Sequence, residues 1–324
     1  MKYTIQEAYA DVDKIIADES AHLASLEPKG LYEPVKYTLD LGGKRLRPLL
    51  VLLAYKTFRP IGDPEDAAPL MKAVELFHNF SLIHDDLMDD APIRRGKPTV
   101  FKEWGSNQAV LSGDAMLIEA YTALCYAPSD DLPAFLDVFN HIASGVCIGQ
   151  QMDMEFETKS LADISIEDYM QMIYYKTGVL FTGSVLLGTL LGGVTTQKDL
   201  DTVRLAMTGF GKAFQVMDDY LDVFSDVEAF GKRRGGDILE GKKTFLLLDA
   251  YSKAPEEVDR ILSITDEETK INEMTDLYKR LGSDKTALEM VERLTEETVG
   301  RLSSMRADTS LLQELMHSLL LRHK

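Results

Sequence analysis

The three-and-four spacing of a helix face runs through nearly the whole chain, as at Val74, Phe77, Ser81 and His84, or at Leu124, Leu132 and Phe135 on either side of a break. That period belongs to the α-helix. Nowhere does two-residue alternation with β-branched enrichment last long enough to predict a strand. Turn-forming clusters interrupt the pattern at EPKGLYEP (27–34), RPIGDPEDAAP (59–69), APIRRGKPT (91–99), APSDDLP (127–133), GGVTTQKD (192–199), FGKRRGGDILEGKKT (230–244) and LGSDKT (281–286). They leave roughly ten helices, most longer than the average of about a dozen residues. None is long or flexible enough to be an interdomain linker, and no fixed-period repeat is present. The expectation is an all-α chain: a single domain over residues 1–324, with long helices bundled around a central core.

Composition narrows the function. A net charge of −18 excludes a general nucleic-acid binder, because phosphate backbones demand clustered Lys and Arg. It leaves room for small phosphorylated ligands reached through a divalent cation. Cys125 and Cys147 make no disulfide framework, and their apolar contexts predict reduced, packed thiols. The N-terminus, MKYTIQEAYADVDKIIADES, has helical periodicity and acidic residues and lacks the apolar core of a signal peptide, so a cytoplasmic location is expected. The apolar run Val179–Val194 is shorter than the ~20 residues of a spanning helix and rich in Gly, Ser and Thr, which predicts a buried helix and no membrane span.

Two acidic clusters stand out against this background. Asp85, Asp86, Asp89 and Asp90 close one apolar helical stretch; Asp218, Asp219 and Asp222 close another. DDLMD and DDYLD share the pattern Asp-Asp-x-x-Asp. If residues 66–90 form one helix, Asp85 and Asp89 share a face, as do Asp86 and Asp90. Carboxylates about 6 Å apart repel by roughly 3 kcal/mol at an effective dielectric of about 20. A helix C-terminus, where the dipole is negative, makes that worse. One such cluster is adequately explained as a solvated helix end; two matching copies call for a cation. All-oxygen ligands with open positions suit Mg²⁺ shared with substrate phosphates. No EF-hand loop is present.

Basic islands lie beside the acidic ones: Lys44, Arg45 and Arg47 in GGKRLRP, Arg94 and Arg95 after the first cluster, and Lys232, Arg233, Arg234, Lys242 and Lys243 after the second. Singly each reads as solvated surface. Jointly, Mg²⁺ with Arg and Lys forms a coherent site for a diphosphate. Neither a Walker A motif nor a strand-preceded G-x-G-x-x-G occurs.

Taken in order, GGKRLRP, ELFHNFSLIHDDLMDDAPIRRGKPT, LSGDAML, GQQMD, KTG, FQVMDDYLD and the GK..GGDI.EGKKT segment resemble the trans-isoprenyl diphosphate synthases, the polyprenyl synthetase family, over roughly residues 40–245. The resemblance implies the isoprenoid synthase fold, with Asp85, Asp86 and Asp89 facing Asp218, Asp219 and Asp222 across a helix-lined cavity and about three Mg²⁺ ions linking them to an allylic diphosphate. It implies that Arg94, Lys176, Lys232 and Lys242 hold that diphosphate. Lys44, Arg47, His78 and Arg95 would hold isopentenyl diphosphate, and Thr177 and Gln215 would lie beside the developing carbocation. It also implies a homodimer. The expected activity is prenyl transfer by ionisation, condensation and elimination, in an apolar cavity that keeps water from the cation.

Phe80 lies five residues before Asp85, about 7.5 Å along a helix, and is expected to form part of the floor that limits product length, with Ser81 and Phe77 adjusting its depth. An aromatic residue here resembles short-chain members making farnesyl or geranylgeranyl diphosphate. The first motif lacks a two-residue insertion, which favours geranylgeranyl; a longer-chain synthase is the alternative. A terpene cyclase fits less well, since DDYLD departs from N-D-x-x-S-x-x-x-E. A motif-poor partner subunit of a heteromeric synthase fits less well too, since both motifs are intact. A phosphohydrolase reading of His78, His84 and Asp85 leaves the second cluster unused, so His84 is expected to be packed beside the site. Gln151 and Asp153 read equally as supports for a metal-bound water or as helix-capping residues.

Overall fold

Several helices begin where a side chain satisfies an unpaired amide. In the computed structural model, which describes residues 3–128, 131–225 and 234–320, Thr4 and Glu7 form a reciprocal capping box at the start of α1 (Ile5–Ala24). Ser165 and Asp168 do the same for α8 (Ile166–Ile173). Asp266 caps α14 (Glu267–Leu281), and Gly282, in the left-handed conformation at φ 72°, separates it from α15 (Ser283–Ser303). The remaining helices are α2 (Lys29–Asp40), α3 (Leu46–Phe58), α4 (Ala68–Met88), α5 (Val100–Trp104), α6 (Ser106–Leu124), α7 (Leu132–Thr158), α9 (Val179–Leu191), α10 (Gln197–Phe224), α11 (Gly236–Glu240), α12 (Phe245–Lys253), α13 (Pro255–Leu262) and α16 (Ser310–Leu320). The all-α expectation holds.

Three local readings need correction. Helix resumes at Lys29 inside the predicted break 27–34, with Pro34 in the first turns of α2. Residues 93–98 form a two-stranded antiparallel ribbon, β1 (Ile93–Arg94) and β2 (Lys97–Pro98), too short to leave a periodic signal. Both cysteines are free, but both are exposed, so neither is packed.

The chain divides into two compact units, as far as it is described. One comprises Met1–Ala143, Leu180–Arg204 and Met305–Leu315. Its centre is α3, where every residue from Leu49 to Tyr55 is fully buried, as expected of a helix apolar all round. Phe77 on α4, Phe139 on α7 and Phe181 on α9 join this core. α4 packs along α6. The apolar run at 179–194 is, as predicted, a buried helix. A Cβ on its Gly188 would collide with the Val51 carbonyl oxygen and lie 3.0 Å from Tyr55 N, so α9 meets α3 backbone to backbone.

The other unit comprises Ser144–Val179, Leu205–Ser304 and Met316–Lys324. Met207, Phe210, Ala213 and Val216 on α10, Phe245 and Leu246 on α12, and Met274 and Leu277 on α14 form its core. Among the described residues one helix, α7, is long and apolar enough to cross a membrane by length and composition. It nevertheless buries Phe139 and Ile142 in the first unit and carries the ion-paired Asp153 in the second.

A side chain at Gly188 must push two helix backbones apart. Gly188→Val is expected to destabilise the protein by about 3 kcal/mol or more, read as a fall in Tm on thermal denaturation; an unchanged Tm would mean that α9 moves freely against α3.

Candidate active site

The turn GGKRLRP is built from backbone that most side chains avoid. Gly42 and Gly43 have φ of 74° and 137°, and Arg45 is left-handed at φ 46°. A Cβ on Gly43 would lie 2.8 Å from the Arg95 guanidinium, which itself donates to the Gly42 carbonyl. Arg45 turns inward. It pairs with Glu75 of α4, both side chains nearly buried at 9% and 3% exposure, and donates to the Leu39 carbonyl. Lys44 stays exposed.

Arg47 enters the first turn of α3. Its Nη1 lies 3.1 Å from His78 Nε2, and its guanidinium sits over the Phe181 ring at 4.7 Å. Its Nε is buried without a hydrogen-bond partner. Burial lowers the Arg47 pKa to about 10, with Arg95 adding to the effect and Glu75 opposing it. Burial and then Arg47 push His78 well below its ordinary value. His78 is therefore a neutral ring whose Nε2 accepts from arginine.

Helix α4 ends at Met88, capped by Asp89. Asp86 and Asp90 do not share a helix face as expected, because the helix has ended and the backbone is left-handed at Asp90 (φ 49°). Asp90 is exposed and pairs with Lys102 at 2.9 Å. Asp86 is buried beneath Arg94, whose Nε reaches Oδ1 at 2.9 Å and Oδ2 at 2.8 Å while Nη2 reaches Oδ1 at 2.7 Å. Burial still raises the Asp86 pKa despite the arginine. Arg94 and Arg95 are delivered by the ribbon, whose turn residues Arg95 and Gly96 both have positive φ (52° and 75°), the signature of a two-residue hairpin turn. Asp85 is half-buried and Asp89 exposed.

Above this cluster Phe80 packs against Phe77 (centroids 5.4 Å) and His84 (4.9 Å), and Phe77 stacks edge-on to Phe139 (5.5 Å). Phe77, 1% exposed, is core support; Phe80 is half-buried. The Ser81 hydroxyl donates to the His78 carbonyl at 2.8 Å. His84 is half-buried as expected, its Nε2 3.3 Å from the Val110 carbonyl, and a Cβ on Gly113 would strike its ring.

In the second unit, Lys176 and Thr177 stand on a π-helical turn, Tyr174–Gly178. The turn is gripped by glycines. A Cβ on Gly149 of α7 would collide with the Lys176 backbone, and one on Gly211 of α10 would lie 2.5 Å from Gly178 Cα. Insertions of this kind collect at functional sites. Lys176 pairs with Asp153 at 2.6 Å, and Gln151 donates to Glu155 at 3.1 Å. Thr177 Oγ1 donates to Gln215 Oε1 (3.2 Å), and Gln215 Nε2 donates to Asp219 Oδ1 (3.2 Å).

Asp219 is fully engaged. It also accepts from the Tyr169 hydroxyl and from the Phe245 amide at 3.1 Å. Burial and the nearby Asp237 raise its pKa to about 8. Asp222 Oδ2 accepts from the Asp237 amide at 3.1 Å, and Asp237 is raised to about 6 by burial and Asp222. Lys242 pairs with Glu240 at 2.9 Å and lies 3.7 Å from Asp237. Asp218 is half-buried. Lys232 and Arg233 lie outside the described residues.

Two contributors carried weak sequence signals and a third carried none. Glu75 is a lone acid in an apolar helical stretch, Asp237 sits inside the GGDI segment, and Tyr169 gave no signal. Among the described residues no three His, Cys, Asp or Glu side chains converge into a ready-made metal cage. The donors of both motifs are carboxylate oxygens alone. Such a set fits a hard cation like Mg²⁺, which takes one or two carboxylates and completes its shell with phosphate and water.

Comparison with known proteins agrees. The polyprenyl synthetase family model matches residues 28–281. A short chain isoprenyl diphosphate synthase of Methanothermobacter thermautotrophicus is 36% identical over 316 residues, 92% of this chain and 96% of that one. A geranylgeranyl diphosphate synthase of Methanosarcina mazei is 37% identical, covering 70% and 69%. A geranylfarnesyl diphosphate synthase of Natronomonas pharaonis is 32% identical, covering 92% and 91%. A crystal structure of a geranylgeranyl pyrophosphate synthase superposes with TM-score 0.91 at 36% identity, covering 99% of this chain and 100% of that one. The chain belongs to the polyprenyl synthetase family.

The raised pKa of Asp219 has a consequence for the metal-free protein. Its folded value, about 8, lies above the unfolded value near 4, so the stability its proton contributes is complete below about pH 4 and is lost as pH rises through about 8. Metal-free Asp219→Asn, neutral throughout, is expected to lose less Tm than the parent between about pH 5 and pH 8.5; parallel melting curves would contradict the assignment.

Proposed function

We propose that this chain condenses isopentenyl diphosphate with an allylic diphosphate to make a short-chain prenyl diphosphate, with geranylgeranyl diphosphate as the favoured product. The observation that carries the reading is the pair of Asp-Asp-x-x-Asp motifs at the ends of α4 and α10. In each, the middle aspartate is buried and held by protein donors while the first is half-buried. The names of its relatives support the same chemistry.

In this reading Asp85 and Asp89 of one motif and Asp218 and Asp222 of the other are the metal-binding carboxylates. Asp86 and Asp219 hold the motifs in shape through Arg94 and through Tyr169 and Gln215. Mg²⁺ supplies neutralisation of the charge that builds on the departing diphosphate. Arg94 keeps Nη1 beyond the contacts it makes with Asp86, and with Lys176, Lys242 and Lys232 it binds the allylic diphosphate. Lys44, Arg47 and Arg95 bind isopentenyl diphosphate, with the neutral His78 accepting from Arg47.

The allylic C–O bond breaks. The double bond of isopentenyl diphosphate attacks the resulting cation, and loss of a proton to the released diphosphate restores an alkene. The Thr177 hydroxyl and Gln215 amide, fixed to one another, orient oxygen dipoles toward the cation. Aromatic walls around Phe80 exclude water. The working unit is a homodimer: α6 exposes Leu111 (56%) and Ile118 (64%) seven residues apart on one face, an apolar stripe suited to a second copy.

Chromatography of the product formed from labelled isopentenyl diphosphate with each allylic primer tests the activity. Asp85→Ala and Asp218→Ala are each expected to reduce turnover by about a hundredfold or more with the fold retained by circular dichroism; near-normal rates in either remove that motif from the mechanism. Phe80→Ala is expected to lengthen the product; an unchanged product spectrum places the floor elsewhere.

A further inference from the structure

Glu75 touches none of the groups assigned to the reaction, yet it is a carboxylate buried in the core of α4. Its Oε1 receives Arg45 Nη1, and the Asn79 side-chain amide donates to the same oxygen at 3.0 Å and to the Glu75 carbonyl at 2.8 Å. Arg45 also reaches back to the Leu39 carbonyl in the last turn of α2. One guanidinium therefore ties the turn at 42–48 to two helices. It does so from the residue between Lys44 and Leu46, at a position whose backbone is left-handed.

A buried ion pair adds little net stability over a well-packed apolar pair. What it adds is direction, because a planar guanidinium fixed at two points sets the path of the backbone carrying it. Here that backbone carries Lys44 and Arg47. Arg95, the other cation of the group, is seated by the same turn through the Gly42 carbonyl and the close approach of Gly43. Charge leads to the same place. Arg45, Arg47 and Arg95 gather around this turn, and Glu75 favours the charged form of both Arg47 and Arg95.

We propose that Glu75 is the built-in counter-anion of the GGKRLRP turn and a positioning residue that acts, through Arg45, selectively on isopentenyl diphosphate. The inference rests on the reading that Lys44, Arg47 and Arg95 hold that substrate. It adds a determinant that touches no substrate and discriminates between the two diphosphates. Asp86 is occupied by Arg94 and favours the charged form of Arg95 less than Glu75 does.

The test compares the parent protein with Glu75→Gln and with the double variant Arg45→Met/Glu75→Met, which replaces the pair by apolar groups and keeps the core filled should the single change fail to fold. KM and kcat are measured for each substrate in turn, and binding of isopentenyl diphosphate and of geranyl diphosphate with Mg²⁺ is measured separately by calorimetry. The expected result is a rise of about tenfold in KM and Kd for isopentenyl diphosphate in both variants, the scale of a lost charged contact. Values for geranyl diphosphate should stay within about twofold, and kcat should change little. Constants for both substrates that move together, or for neither, overturn the proposal and reduce Glu75 to a core residue. A parent protein that does not bind or consume isopentenyl diphosphate overturns the functional reading itself, which the parent measurements show before any variant is compared.

Discussion

Charge crowding is the constraint around which this protein is organised. The proposed function would need carboxylates near carboxylates and guanidinium groups near guanidinium groups, and both arrangements repel. The fold answers by pairing several buried and half-buried charges within the protein. Arg94 grips Asp86 with Nε and Nη2, Glu75 receives Arg45, and Asp153 receives Lys176. Where no cation is supplied, as at Asp219, neutral donors surround the carboxylate and its proton affinity rises. These partners are conditions for the site to exist before ligand arrives, more than sources of stability.

Placement of the partners depends on close backbone approaches. Gly43 lets the Arg95 guanidinium lie on the turn, Gly149 and Gly211 let α7 and α10 clasp the π-helical turn that carries Lys176 and Thr177, and Gly188 lets α9 settle on α3. At Gly149, Gly188 and Gly211 a single methyl group would meet backbone, and at Gly43 it would meet the Arg95 guanidinium. The ribbon at 93–98 uses the same economy: two residues with positive φ turn the chain so that Arg94 returns to Asp86 while Arg95 faces the GGKRLRP turn.

Much of this was legible beforehand, and for identifiable reasons. Helix period and turn residues are local properties, so the helices, the break at Gly282 and the buried run in α9 could be read directly. Short ordered motifs carried the chemistry and the family. What failed to show was non-local or too short to be periodic: a ribbon of two-residue strands, a left-handed Asp90 that takes it off the helix face of Asp86, and exposed cysteines in segments that looked apolar by composition.

The amino-acid order alone determined that the chain is helical, that two aspartate motifs end two of its helices, and that arginines and lysines accompany them. All three follow from residue order and spacing, which survive without a fold. Only the tertiary structure decided which member of each motif is held by protein donors, that Arg45 belongs to Glu75 while Arg47 belongs to His78, and that Lys176 is oriented by Asp153. Those choices join residues up to tens of positions apart, and they depend on burial, where removing water makes the identity of one neighbour decisive.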